Sequence, residues 1–179
     1  MLLTYKKTLY EFFLFFVSIF TVFHIKESIY SMNHVEQGET MLLMLYMFHN
    51  DTICISGGID NLHVRKDVKI QKVLSEICLL GGSTFKGRVD ASTQILKIRQ
   101  KAPIVYIMNN MLFPTVSYNR SDCIWINPKG VMEYKRDGNE TTVQFYNGFT
   151  INIPIEYRSF KRQMTRCKEY ADFLGQHYI

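Results

Sequence analysis

The side chains in this sequence best equipped for chemistry are cations, and the chemistry they suit is the holding of anions. Residues 62–101 carry nine Lys and Arg, among them Lys86, Arg88, Lys97, Arg99 and Lys101, against three Asp and Glu. The preceding stretch, 32–61, has four acidic residues and no Lys or Arg, whereas 156–179 has five basic against three acidic ones. The formal net charge of +5 is therefore gathered in the middle of the chain, with a second focus at its C-terminal end. Such a pattern suits a surface facing phosphates or anionic lipid, or else a solvated basic face without a partner.

Covalent and acid–base chemistry lack their players. The run Gly82-Ser-Thr-Phe-Lys-Gly87-Arg88 superficially resembles a phosphate-binding loop. That motif requires Lys and then Ser or Thr after the second Gly, and a strand before it, so that amides and hydroxyl converge on phosphate and metal. Here Arg88-Val89 follow the glycine and a helical pattern precedes it. No nucleophile elbow, no H-E-x-x-H and no suitably spaced pair of carboxylates occurs. The four cysteines, Cys54, Cys78, Cys123 and Cys167, are too far apart in sequence for a C-x-x-C clasp, and the five histidines are scattered. The expectation is a protein with no catalytic residue, no metal site and no cofactor, whose cysteines are reduced. The stretch from Gly81 to Arg88 reads instead as a flexible basic protrusion with Lys86 and Arg88 at its tip, or as a plain glycine-rich connection from helix to strand.

The elements that would carry these cations follow from apolar spacing. Thr40–Phe48 and Thr52–Ser56 are short apolar runs flanked by turn residues, and they predict two buried antiparallel strands. From Val68 to Leu80 the apolar positions recur at helical spacing, and Gly81-Gly82 marks the stop. Residues 94–155 read as successive short strands, QILKI, IVYIM, LFPTV, CIWIN, MEYKR, TVQFY and FTINIPI, with hairpin turns at Asp137-Gly138 and Asn147-Gly148. Ser159–Leu174 predicts a closing helix capped by Ser159, with Phe160, Met164, Cys167, Ala171 and Leu174 as its stripe. The fold class is α+β: an antiparallel, β-rich core with one internal helix and one C-terminal helix, and a hydrophobic N-terminal segment outside the domain.

That segment, residues 1–31, differs in kind from the rest. Its uncharged run from Phe12 to Ile25 has fourteen residues, short of the ~20 that a membrane-spanning helix needs. Three readings remain open: a reading frame extended upstream of a true start at Met32, a membrane anchor, or a signal peptide with a poor cleavage site. The first divides the chain into a leader, 1–31, and a folded domain, 32–179. The second makes the protein a membrane-associated interaction protein, with residues 9–25 inserted and the basic centre on anionic headgroups.

Read in order, GGSTFKGRVDAST, KAPIVYI, LFPTVSYNRSDCIWIN and VQFYNGFTINIPIEYRSFKRQMTR resemble the ComK family of competence transcription factors from Gram-positive bacteria. The likeness is densest in Leu112-Phe-Pro-Thr115, in Ser121–Ile126 and in Asn147-Gly148 followed by Pro154–Tyr157 and Ser159-Phe160. It implies a cytoplasmic, DNA-binding transcriptional activator of genes for DNA uptake and transformation. It further implies that the protein acts as a homo-oligomer on paired A/T-rich promoter boxes, largely through the minor groove, and assists RNA polymerase. Because a narrow A-tract minor groove attracts inserted cations, Lys86 and Arg88 become candidate probes, with Asn119 and Arg120 as a second pair. Lys97, Arg99 and Lys101 are assigned to phosphate contacts that fix register. Phe113, Pro114 and Trp125 are assigned to the supporting core.

Overall fold

The structure is a computed structural model, and it describes residues 41–57, 62–107 and 110–177. The hydrophobic leader, the division at Met32 and the proposed anchor at 9–25 lie outside the described residues. Among the described residues no helix is long and apolar enough to cross a membrane.

The described residues open with β1 (Leu42–Phe48) and β2 (Asp51–Ser56), an antiparallel hairpin whose turn places His49 at φ 53°. β3 (Leu62–Arg65) pairs with β2, and then come two helices, α1 (Ile70–Leu80) and α2 (Phe85–Ile95). β4 (Ile104–Ile107), β5 (Asn110–Pro114) and β6 (Trp125–Ile126) complete an antiparallel sheet of six strands in the order β3-β2-β1-β6-β5-β4. A 3₁₀ turn at Pro128–Gly130 leads into β7 (Val131–Asp137), β8 (Glu140–Phe145) and β9 (Thr150–Ile153), a separate antiparallel sheet in sequence order. α3 (Tyr157–His177) ends the fold. The hairpin turns fall at Gly138 and Gly148, both at positive φ.

Strand alternation decides which helix covers which face of the large sheet. Leu45, Leu112 and Trp125 point to one side, where Ile70, Val73, Leu74, Ile77 and Cys78 of α1 bury their stripe against them. Met44, Phe113 and Ile126 point to the other, into a core shared with Val143, Phe145 and Ile153 of the small sheet and Phe160, Cys167 and Tyr170 of α3. The rings of Phe113 and Phe160 meet edge to face at 5.4 Å. Trp125 and Phe113 are completely buried, and Pro114, which pairs with Trp125 across β5 and β6, is buried as well. Each large side chain so buried contributes about 1.5–3 kcal/mol.

Several expectations need correction. The segment from Gly81 to Arg88 is neither a protrusion nor a plain connection, because its second half is the first turn of α2. Thr84 caps that helix, its Oγ1 accepting from the Gly87 amide at 3.0 Å. Among the described residues there are thus two helices before the closing one rather than one, and QILKI is the end of α2 and the turn after it, not a strand. α2 lacks a clean apolar stripe. Its two ends are stapled instead: Phe85 at the start packs edge to face on Trp125, and at the finish Lys97, at φ 52°, occupies the left-handed position of a Schellman turn. In that turn the Lys97 amide donates to Gln94 O and the Ile98 amide to Thr93 O. α1 ends by the same device at Gly82, whose φ is 77°. Ser159 is not the cap of the closing helix, which begins two residues earlier at Tyr157. β3 was not foreseen, since its four residues include His63 and Arg65 and carry little apolar signal.

Candidate nucleic-acid interface

The seven candidate DNA contacts separate into two groups, one at each end of α2. At its start stand Lys86 and Arg88, and the turn that bears Asn119 and Arg120 lies beside them. Two contacts hold that turn there: the Phe85 and Tyr118 rings meet edge to face at 5.7 Å, and Gln71 Nε2 of α1 donates to Tyr118 O at 3.2 Å. The backbone of the turn closes on itself, the Arg120 amide donating to Ser117 O and the Cys123 amide to Arg120 O. Asn119 and Arg120 are exposed at its crest.

The cations of this first group are not equivalent. Lys86 is exposed and pairs with Asp90 one turn along α2, at 2.5 Å. This hydrogen bond and the Asp90 charge raise the Lys86 ammonium above its ordinary pKa. Arg120 makes a two-pronged pair with Asp122, Nε to Oδ1 at 2.8 Å and Nη2 to Oδ2 at 2.6 Å. The same contact lowers the Asp122 carboxyl and raises the Arg120 guanidinium. Exposed pairs of this kind contribute little, so either cation can exchange its carboxylate for a phosphate at small cost. Arg88 is half-buried and turned inward: its Nη2 donates to Gly81 O, the C-cap of α1, at 2.5 Å. Gly81 itself faces Tyr106, and a Cβ there would lie 1.7 Å from the Tyr106 carbonyl oxygen. Glycine and arginine therefore tie α1, α2 and β4 together.

The second group follows α2. Lys97 and Arg99 are exposed and Lys101 is half-buried, in a left-handed conformation at φ 56°. Arg99 and Lys101 face the first turns of α3 across an open cleft of about 310 Å³, lined also by Gln100, Ser159, Arg162, Gln163 and Arg166. Arg162 and Arg166 were not among the candidate contacts. Their signal in the sequence was the second basic focus at 156–179 and the spacing of Ser159, Arg162, Gln163 and Arg166, which is that of a single helix face. Burial, and then the neighbouring Arg162 charge, push the Arg166 guanidinium below its ordinary pKa. Among the described residues no ion pair engages any of the four cations around this cleft, and no group of His, Cys, Asp and Glu is placed to hold a metal.

Comparison with known proteins gives a consistent answer. The sequence model of the family described as ComK protein matches residues 31–177. A relative named competence transcription factor, from Bacillus subtilis (strain 168), is 35% identical over 121 residues, which cover 63% of this chain and 63% of the relative's length. No solved structure matches.

Proposed function

The chain belongs to the ComK family, and on that premise we propose that it is a DNA-binding transcriptional activator of the genes for competence. The observation that carries the reading is the extent of the family match, 31–177, which encloses every described element from β1 to α3. The distribution of charge supports it. Cations stand at both ends of α2, and two of those at its start, Lys86 and Arg120, are paired with exposed carboxylates that a phosphate can displace.

In this reading the protein works in the cytoplasm as a homo-oligomer on A/T-rich promoter boxes and assists RNA polymerase there. Lys86, Asn119 and Arg120 approach the minor groove, whose negative potential is deepest in A-tracts. Lys97, Arg99 and Lys101 meet phosphates. Arg88 acts through the frame, by fixing the start of α2 against the end of α1. The protein needs no cofactor and catalyses no reaction.

The test is a gel shift with an A/T-box promoter fragment and a G/C-rich duplex of equal length, using the full chain and a chain beginning at Met32. Preference for the A/T-box fragment is expected, lost in Lys86→Ala and Arg120→Ala. Equal affinity of the wild-type chain for both duplexes refutes minor-groove reading of A/T sequence, and absence of any shift refutes the function.

A further inference from the structure

The cleft between residues 99–101 and α3 gathers four cations that come from segments some sixty positions apart, and it has no acidic residue in its wall. A solvated basic face would spread such charges outward. Here the chain holds them close together with buried polar contacts. Gln163 is 2% exposed and fully engaged: its Nε2 donates to Lys101 O at 3.0 Å and to Pro114 O at 2.8 Å, and its Oε1 accepts from Arg166 Nη1 at 2.9 Å. One buried side chain thereby sets the backbone beside Lys101 and the guanidinium of Arg166. Arg166 Nη1 also reaches Gln100 O at 3.4 Å, which ties α3 to the opposite wall. An arginine has five N–H donors, so Arg166 keeps most of them for a ligand. Four like charges around one concavity repel each other until an anion enters, and planar guanidinium forks match the oxygens of a phosphate.

We infer that this cleft is a phosphate-binding site, in which Arg99, Lys101, Arg162 and Arg166 grip a backbone phosphate of duplex DNA and Gln163 is their positioning residue. The inference rests on the DNA-binding reading for the source of the phosphate and on the cleft itself for the chemistry. Its contact carries no sequence information, so it anchors the protein while the groove-facing residues at the start of α2 select.

The experiment has two arms and uses the full chain. Arg162→Gln and Arg99→Gln are surface changes that leave the core intact, and Lys168→Gln, exposed on α3 but outside the cleft, controls for lost charge. In the first arm, affinities for A/T-rich and G/C-rich duplexes are measured over a salt series. The cleft variants are expected to lower the slope of log affinity against log salt by about 0.9 per lost phosphate contact. Both duplexes should weaken by the same factor, and Lys168→Gln should keep the wild-type slope. In the second arm, thermal midpoints are compared in inorganic phosphate and in chloride at matched ionic strength, where phosphate should raise the wild-type midpoint by more than that of Arg162→Gln, the general stabilisation by phosphate being common to both. Unchanged slopes in duplexes that the wild-type chain binds overturn the anchoring of DNA in this cleft while leaving the proposed function standing. Wild-type chain that binds no duplex, yet is stabilised by phosphate through Arg162, overturns the proposed function and identifies a site for free phosphate. Absence of both effects overturns the site altogether.

Discussion

Replacing Gln163 by Leu removes a side chain of similar volume whose amide donates to two main-chain carbonyls, Lys101 O and Pro114 O. The Pro114 contact is fully buried, and an orphaned buried carbonyl costs about 1–3 kcal/mol. The Lys101 contact is half-buried, so water replaces part of it and the loss there is about 0.5–1 kcal/mol. Arg166 loses an acceptor but lies near enough to solvent to recover one. The two lost contacts together cost about 1.5–4 kcal/mol. Urea unfolding followed by the fluorescence of buried Trp125 measures it as a lower midpoint at unchanged slope. The same variant should release Lys101 from its left-handed turn and weaken binding to all duplexes alike. A stability loss below about 0.5 kcal/mol would refute the claim that Gln163 holds these walls together.

Other substitutions probe the frame and its pH dependence. Lys97→Gly relieves a non-glycine residue at positive φ and should stabilise the chain by about 0.5–1 kcal/mol; a lower urea midpoint would contradict the Schellman assignment. Gly81→Ala forces a methyl group onto the Tyr106 carbonyl and should cost at least about 2 kcal/mol, which a wild-type midpoint would disprove. Burial pushes the Cys123 thiol up from 9.0 to about 11 and the Tyr106 hydroxyl from 10.0 to about 12. Between those values the folded chain keeps protons that the unfolded chain has released, so stability is complete below pH 9 and declines as pH rises through 11 and 12. Urea midpoints at pH 8, 9.5 and 10.5 should fall in that order, and a flat series would show that neither group is sequestered.

Much of the architecture is local in origin and so was legible from residue order. Leu43, Leu45, Ile53 and Ile55 lie in apolar runs between turn residues, the stripe of α1 recurs every three or four positions, and Asp137-Gly138 and Asn147-Gly148 mark hairpins. The family motifs around Phe113, Pro114 and Trp125 lie in two further buried strands, β5 and β6. α2 was misread because its sequence, FKGRVDASTQI, contains a glycine and no regular stripe; its helicity depends on the Thr84 cap and on Phe85 packing against Trp125, forty residues away. Periodicity reports which face of an element is buried, but not what that face meets. Sheet order, the inward turn of Arg88 and the meeting of Arg99 and Lys101 with Arg162 and Arg166 depend on contacts between residues distant in sequence. Residue order alone determined a basic α+β protein of a recognisable family. Only the tertiary structure decided which cations stand together, because a cleft between two segments exists only after both have packed on the same core.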